Sequence, residues 1–224
     1  MSFRLTQSEE NYLKSIFNLM DKNQQNTINT NLIAKDLNTK ASSVSEMVKK
    51  LSTKNLIDYQ KYKGSFLTKK GAEIAIQVIR KHRLWETFLV DKLNFKWDEV
   101  HDIAEQLEHI NSTKLTNKLS EFLNHPQFDP HGDPIPNEKG EFPKHQPLVS
   151  LKDVKINDEV EVVKIGSNHK DLLIFLTKNN IKIGTKIKCV EKYGFDDSVK
   201  IKFKNNSTLI LSKKISKNIF TIKN

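Results

Sequence analysis

The stretch Asn31–Thr68, NLIAKDLNTKASSVSEMVKKLSTKNLIDYQKYKGSFLT, decides the fold. Its first half holds two short helical patterns, NLIAKDL and SSVSEMVKKLSTKN, around the polar break NTKA. Val44, Met47, Val48 and Leu51 recur at three- and four-residue spacing, the mark of one apolar helix face. The second half has β-rich flanks around a Lys/Gly tip and reads as a hairpin. Upstream, SEENYLKSIFNLM places Tyr12, Leu13, Ile16, Phe17, Leu19 and Met20 at helical spacing behind Ser8 as an N-cap. Helix, helix, turn, helix, hairpin is the order of a winged helix-turn-helix. In that order the second helix of the turn presents Ser42, Ser43, Ser45, Glu46, Lys49 and Lys50 to a major groove: hydroxyls read or clamp, glutamate accepts from cytosine N4, and lysines anchor phosphate. Lys61 and Lys63 at the hairpin tip would touch the backbone or minor groove.

Beyond Lys70 the pattern lengthens into GAEIAIQVIRKHRLWETFLVDKL, WDEVHDIAEQLEHI and a shorter KLTNKLSEFL, all helical in period. All 6 prolines fall between Pro126 and Pro147, so this segment reads as a linker. After it come short strand-like runs, EVEVVKI, TKIKCVEKY, SVKIKFK, STLILS and NIFTI, around one helix, HKDLLIFLTKN, which predicts a small β-barrel. The expected architecture is mainly α with β: a winged helix-turn-helix over 1–70, a helical domain with the proline-rich linker over 71–145, and a small β-barrel over 146–224.

Charge follows the same division. The first segment carries 12 Lys/Arg against 6 Asp/Glu (net +6), the middle 9 against 13 (net −4) and the last 16 against 8 (net +8). Six of the 7 histidines lie in the acidic middle. Basic flanks around a His/Glu/Asp-rich centre imply polyanion contact outside and cation binding within. The single cysteine, Cys189, excludes an internal disulfide and a thiolate zinc site, and fits a reducing cytoplasm. The N-terminus has no apolar leader core, and no run approaches the roughly 20 apolar residues of a membrane span, so no membrane partner is expected.

VHDIAEQLEHI, residues 100–110, carries the chemistry. At helical pitch His101, Glu105, Glu108 and His109 share roughly a 100° stripe, with Ile103, Leu107 and Ile110 opposite. The preceding helix adds His82 and Glu86 at i, i+4. Imidazole and carboxylate without thiolate favour ions in the manganese to ferrous range. Asp129 and His131 sit on the Pro-bounded loop HPQFDPHGDPIP, which would bring further ligands. No nucleophile elbow, Gly-rich phosphate loop or H-E-x-x-H motif is present, and an enzyme is not expected. Two other readings compete: a metal-independent winged-helix regulator sensing a small molecule, and a metallohydrolase with a DNA-binding domain.

The motifs ENYLKSIFNL, ASSVSEMVKKL, YKGSFLTKKG, RKHRLWETFL, VHDIAEQLEHI and DPHGDPIP together resemble the DtxR/MntR family of metal-dependent transcriptional regulators, which implies a helical dimerisation and metal-binding domain over 71–145 and, over 146–224, a domain similar to the SH3-like FeoA modules. The resemblance implies a homodimer whose middle helices bind divalent metal and whose metal occupancy sets affinity for palindromic operators near metal-transport genes. It implies a primary site of Glu105, Glu108 and His109, completed from the first helix by Asn11 through its amide oxygen or by Glu10. It implies an ancillary site of His82, Glu86 and His101, with Asp129 and His131 added and a barrel ligand near His169 or Asp171. Glutamate rather than cysteine at position 105 tilts the expected ion to Mn2+, with Fe2+ as the alternative, at two sites per subunit.

Overall fold

Residues 5–23, 27–60, 64–144 and 146–223 are described by a computed structural model of the chain. The hairpin-tip lysines Lys61 and Lys63 lie outside them. Contacts divide the chain into two units, one of residues 1–82, 106–114 and 136–141 and the other of 83–105, 115–135 and 142–224.

The first unit is built from α1 (Gln7–Asn23), α2 (Thr30–Asp36), α3 (Ala41–Thr53), the strands β1 (Ile57–Gln60) and β2 (Gly64–Leu67), and the start of α4 (Lys69–Leu93). The periodic residues do what their spacing predicts. Leu13 and Ile16 of α1, Ile33 of α2, Val44 and Leu51 of α3, and Ile28 of the preceding loop are wholly buried together. Each large aliphatic side chain removed from water here contributes about 1.5–3 kcal/mol. β1 and β2 pair antiparallel with Ile57 opposite Leu67, and Ile28 bridges to Ser65. Gly71 lets α4 start against this wing, since a Cβ there would meet the Leu56 carbonyl oxygen at 2.0 Å. Buried Glu9 ties α1 to the end of α3, accepting hydrogen bonds from Lys54 at 2.5 Å and the Thr6 amide at 2.9 Å, with Lys50 at 3.3 Å. Burial pushes its carboxyl upward, but these donors win and hold it near 2.

The second unit contains the rest of α4, α5 (His101–Leu107) as far as Glu105, and α6 (Thr113–Phe122) from Leu115 on. It ends in β3 (Val149–Ser150), β4 (Glu159–Ile165), α7 (Lys170–Lys178), β5 (Lys186–Tyr193), β6 (Ser198–Phe203), β7 (Thr208–Leu211), the short α8 (Lys213–Ser216) and β8 (Ile219–Lys223). The strands form one antiparallel sheet in the order β3-β8-β4-β5-β6-β7. Alternate residues such as Val160, Val162, Ile187, Cys189, Val199 and Ile201 point into its core, where Leu173 and Leu176 of α7 cover them. Leu84, Leu119, Leu123 and Ile135 make a smaller core beside Trp85 and Phe88.

With few glycines available, five helices end on asparagine. Asn38, Asn55, Asn94, Asn124 and Asn180 adopt positive φ just past α2, α3, α4, α6 and α7.

The structure shortens one expected helix. The pattern of residues 97–110 predicts a continuous helix, but α5 runs only from His101 to Leu107. The Trp97 indole N–H donates to Thr177 Oγ1 at 2.8 Å, and the Trp97 carbonyl accepts from His131 Nε2 at 2.8 Å instead of from a helical amide. A distant loop and α7 therefore hold the segment before His101 in turns.

Candidate metal centre

Two clusters of imidazole and carboxylate groups form, one in each unit. In the second unit, Glu86 stands on α4, and Asp129 and His131 on the loop after α6; all three are buried. One potential ligand atom from each lies within 4.8 Å of the others. The loop is preset by its own sequence: Asp129 Oδ1 accepts from the His131 and Asp133 amides at 2.8 and 2.9 Å. Gly132, at φ 85°, lets it touch β4, for a Cβ would fall 2.0 Å from the Val163 oxygen. The Ile165 amide donates to the His131 carbonyl at 2.8 Å, and Lys164 pairs with Asp133 at 2.7 Å. Arg83 also donates to the Pro134 carbonyl. The His131 ring stacks on Trp97, with centroids 5.9 Å apart.

The protonation of that ring is informative. Nε2 faces a backbone carbonyl at 2.8 Å and must carry hydrogen. Nδ1 faces Glu86 Oε2, 3.5 Å away, without a satisfied hydrogen bond. A proton or a metal ion on Nδ1 would each answer the carboxylate's charge there. Burial alone would push the His131 ring down, but the Glu86 and Asp129 carboxylates reverse this and raise it to about 9. Asp129 is pushed up, first by burial and then by Asp133 and Glu86. The buried acidic surroundings thus favour a positive charge on this ring. A backbone carbonyl that fixes the far N–H is also how metal-binding histidines are oriented.

At the rim of this cluster, His101 Nδ1 lies 3.4 Å from Glu86 Oε1 and its Nε2 is 3.8 Å from Glu105. The C-terminal β-sheet domain contributes Asn168, whose Nδ2 lies 3.4 Å from His101 Nδ1. His169 is instead exposed and stands near Asp171 at 3.9 Å. The expected barrel residue is therefore not brought to the cluster, and its neighbour is.

In the first unit the fully buried Glu108 is the hub. His82 Nδ1 donates to its Oε2 at 2.6 Å, and Lys14 Nζ donates to Oε1 and Oε2 at 2.7 and 2.9 Å. Although burial acts to raise it, these partners hold the Glu108 carboxyl below its ordinary value. His109 lies 3.7 Å from Glu108 through Nε2 and meets Glu10 Oε2 at 2.6 Å through Nδ1. On α1, Asn11 Oδ1, the neighbour in sequence of Glu10, is buried without a hydrogen-bond partner among the described residues. Glu10 is expected here as the alternative to Asn11; Lys14, one helical turn further along α1, is not expected, since a lysine four residues after a glutamate reads most simply as half of a solvated ion pair.

On α3, Ser42, Ser43, Ser45, Glu46, Lys49 and Lys50 are all exposed, while Val44, Val48 and Leu51 turn inward. Ser45 donates back to the Ala41 carbonyl at 2.9 Å. The outward row is therefore free of the core, as a groove-reading face requires.

The chain matches the family model for the iron dependent repressor N-terminal DNA binding domain over residues 4–65, that for the metal binding and dimerisation domain over 68–137, and the FeoA domain over 149–222. The HTH-type transcriptional regulator MntR of Oceanobacillus iheyensis is 32% identical over 120 residues, 54% of this chain and 80% of that one. The iron-dependent repressor IdeR of Mycobacterium tuberculosis (strain ATCC 25618 / H37Rv) is 36% identical over 132 residues, 59% of this chain and 56% of its own length. The chain thus spans little more than half of IdeR. A solved manganese-dependent transcriptional repressor in complex with manganese superposes with a TM-score of 0.87 at 30% identity, covering 96% of this chain and 100% of that one. The chain belongs to the DtxR/MntR family of iron-dependent repressors. Its fold is that of these proteins: a helical DNA-binding domain, a helical dimerisation domain and a C-terminal β-sheet domain. No helix among the described residues is long and apolar enough to cross a membrane.

Proposed function

We propose that this chain is a metal-dependent transcriptional repressor that senses Mn2+, or alternatively Fe2+, and controls metal-transport genes by binding a palindromic operator as a homodimer. The observation that carries the reading is the buried cluster of Glu86, Asp129 and His131, in which one potential ligand atom of each lies within 4.8 Å of the others and His131 Nδ1 stands 3.5 Å from the Glu86 carboxylate. Nitrogen and oxygen donors without thiolate suit manganese or ferrous iron.

Two sites per subunit follow from the two clusters. Glu108 and His109, with Asn11 as the expected α1 ligand, would hold one ion; Glu86, His101, Asp129 and His131 would hold the other. When bound, the ion supplies the positive charge and directional coordination that these carboxylates otherwise take from protons and lysine. The chain's own part is positional. The Trp97 carbonyl orients His131, backbone amides fix Asp129, and Glu10 ties α1 to His109 just past the end of α5. Because α1 packs on α2 and α3, fixing it fixes the reading helix. By linkage, whatever binds the DNA-competent arrangement more tightly draws the population toward it.

The domains fall at 1–70, 71–145 and 146–224. The dimer face is the apolar strip of the second unit where Phe122 stands 61% exposed beside Phe88 and Trp85, with Leu115 nearby on α6. A second copy covering it would place two reading helices about 34–36 Å apart, or at a multiple of that, on a palindrome.

To test the reading, an operator is selected from a random duplex pool with MnCl2 present and titrated by fluorescence anisotropy with and without chelator. Manganese is expected to tighten binding by about 5- to 150-fold. Equal binding in chelator would refute the proposal.

A further inference from the structure

We propose that Lys14 fills the primary cation position in the metal-free protein, so that manganese binds by exchange with its ammonium group and Lys14 sets the metal concentration at which the protein responds. The inference rests on the metal-sensing reading above and adds a competitor built into the chain.

The geometry is that of a chelated cation. Lys14 Nζ touches both oxygens of Glu108, at 2.7 and 2.9 Å, and Glu108 is 0% exposed. A divalent ion shared between those oxygens would lie roughly 2.0–2.6 Å from each. The ammonium therefore stands where the ion must come, and the two positive charges exclude one another. A neighbour that would add to the coordination is already in place, with His109 Nε2 3.7 Å from Glu108 Oε1. Hydrogen bonds from a charged donor to a carboxylate are about twice as strong as neutral ones. The lysine is thus a genuine rival rather than a placeholder.

A second consequence concerns α1. Without any metal, clustered carboxylates would repel one another and leave this helix free to drift. Here α1 is held at two points one turn apart, Glu10 to His109 at 2.6 Å and Lys14 to Glu108 at 2.7 Å. Metal entry breaks the second tie. Lysine suits that role: its flexible stem lets the ammonium swing into water, and 12% of the side chain already reaches the surface.

Two measurements test this. In the first, Mn2+ is titrated into the full-length wild-type and Lys14→Met proteins, monitored by the loss of the free-ion EPR signal. Removing the competitor is expected to tighten manganese binding at this site by about tenfold to a hundredfold. Unchanged or weaker binding by folded Lys14→Met overturns the proposal. The second uses only the wild-type protein, so it stands even if the variant does not fold. Acetylation of Lys14 by acetic anhydride is quantified by mass spectrometry with and without MnCl2. Expulsion of the ammonium predicts a several-fold rise in Lys14 labelling on adding manganese, while the same or lower labelling contradicts it. A wild-type protein that takes up no manganese at all would instead sink the metal-sensing reading itself.

Discussion

Glu108→Ala yields a protein whose operator affinity no longer responds to manganese. Among the described residues, Glu108 is the carboxylate of the first unit that meets Lys14, His82 and His109 together, and it has no exposed surface through which water could take its place. Its loss removes the hub of the site and leaves the Lys14 ammonium and the His82 N–H without their acceptor. Truncating one partner of a buried ion pair costs about 3–5 kcal/mol. A lowered midpoint in urea denaturation should therefore accompany the functional loss. Glu108→Gln separates the two effects. It keeps the volume and one hydrogen-bond acceptor, so stability should largely return while the manganese response stays absent. The whole metal-driven gain, about 5- to 150-fold in affinity, is expected to vanish in both variants. A manganese response retained by Glu108→Gln would remove this residue from the site.

His131→Ala is expected to lose one of two manganese ions per chain, measured by equilibrium dialysis and metal analysis. Glu86 and Asp129 would then face each other without the imidazole that answers their charge, and the Trp97 carbonyl would lose its donor at 2.8 Å. Leaving a buried acceptor unpaired costs about 1–3 kcal/mol, and the cavity adds to it. His131→Phe controls for packing, since a phenyl ring can still stack on Trp97 but offers no lone pair. Both variants should bind a single ion, with His131→Phe the more stable. If His131→Phe retains two ions, Nδ1 is not a ligand.

The parts of this molecule that were legible in the sequence are those governed by local periodicity. Leu13, Ile16, Val44, Val48 and Leu51 sit in one core because helix pitch puts them on inward faces, and their exposed neighbours on α3 follow by default. The alternation in EVEVVKI and SVKIKFK likewise became β4 and β6. What sequence could not show depends on contacts distant along the chain. Residues 97–100 have a helical pattern, but Trp97 is committed to Thr177 and His131, 80 and 34 residues away. Asn168 reaches His101 rather than His169 because α7 begins just beyond it and turns His169 outward. Lys14 was hidden for another reason: a lysine four residues after a glutamate satisfies the simplest surface explanation. Only the path of α1 beside the end of α5 sends Glu10 to His109 and Lys14 to Glu108.

The central claim is that an ion held by these side chains and a duplex held by α3 stabilise the same arrangement of the protein. Coupling of that kind is reciprocal, so the factor by which manganese tightens DNA must equal the factor by which DNA tightens manganese. Isothermal titration of MnCl2 into the protein, alone and saturated with its operator, measures this directly. The account predicts tighter manganese binding on DNA by the same factor found in the anisotropy titrations; identical manganese affinity with and without the duplex would contradict it.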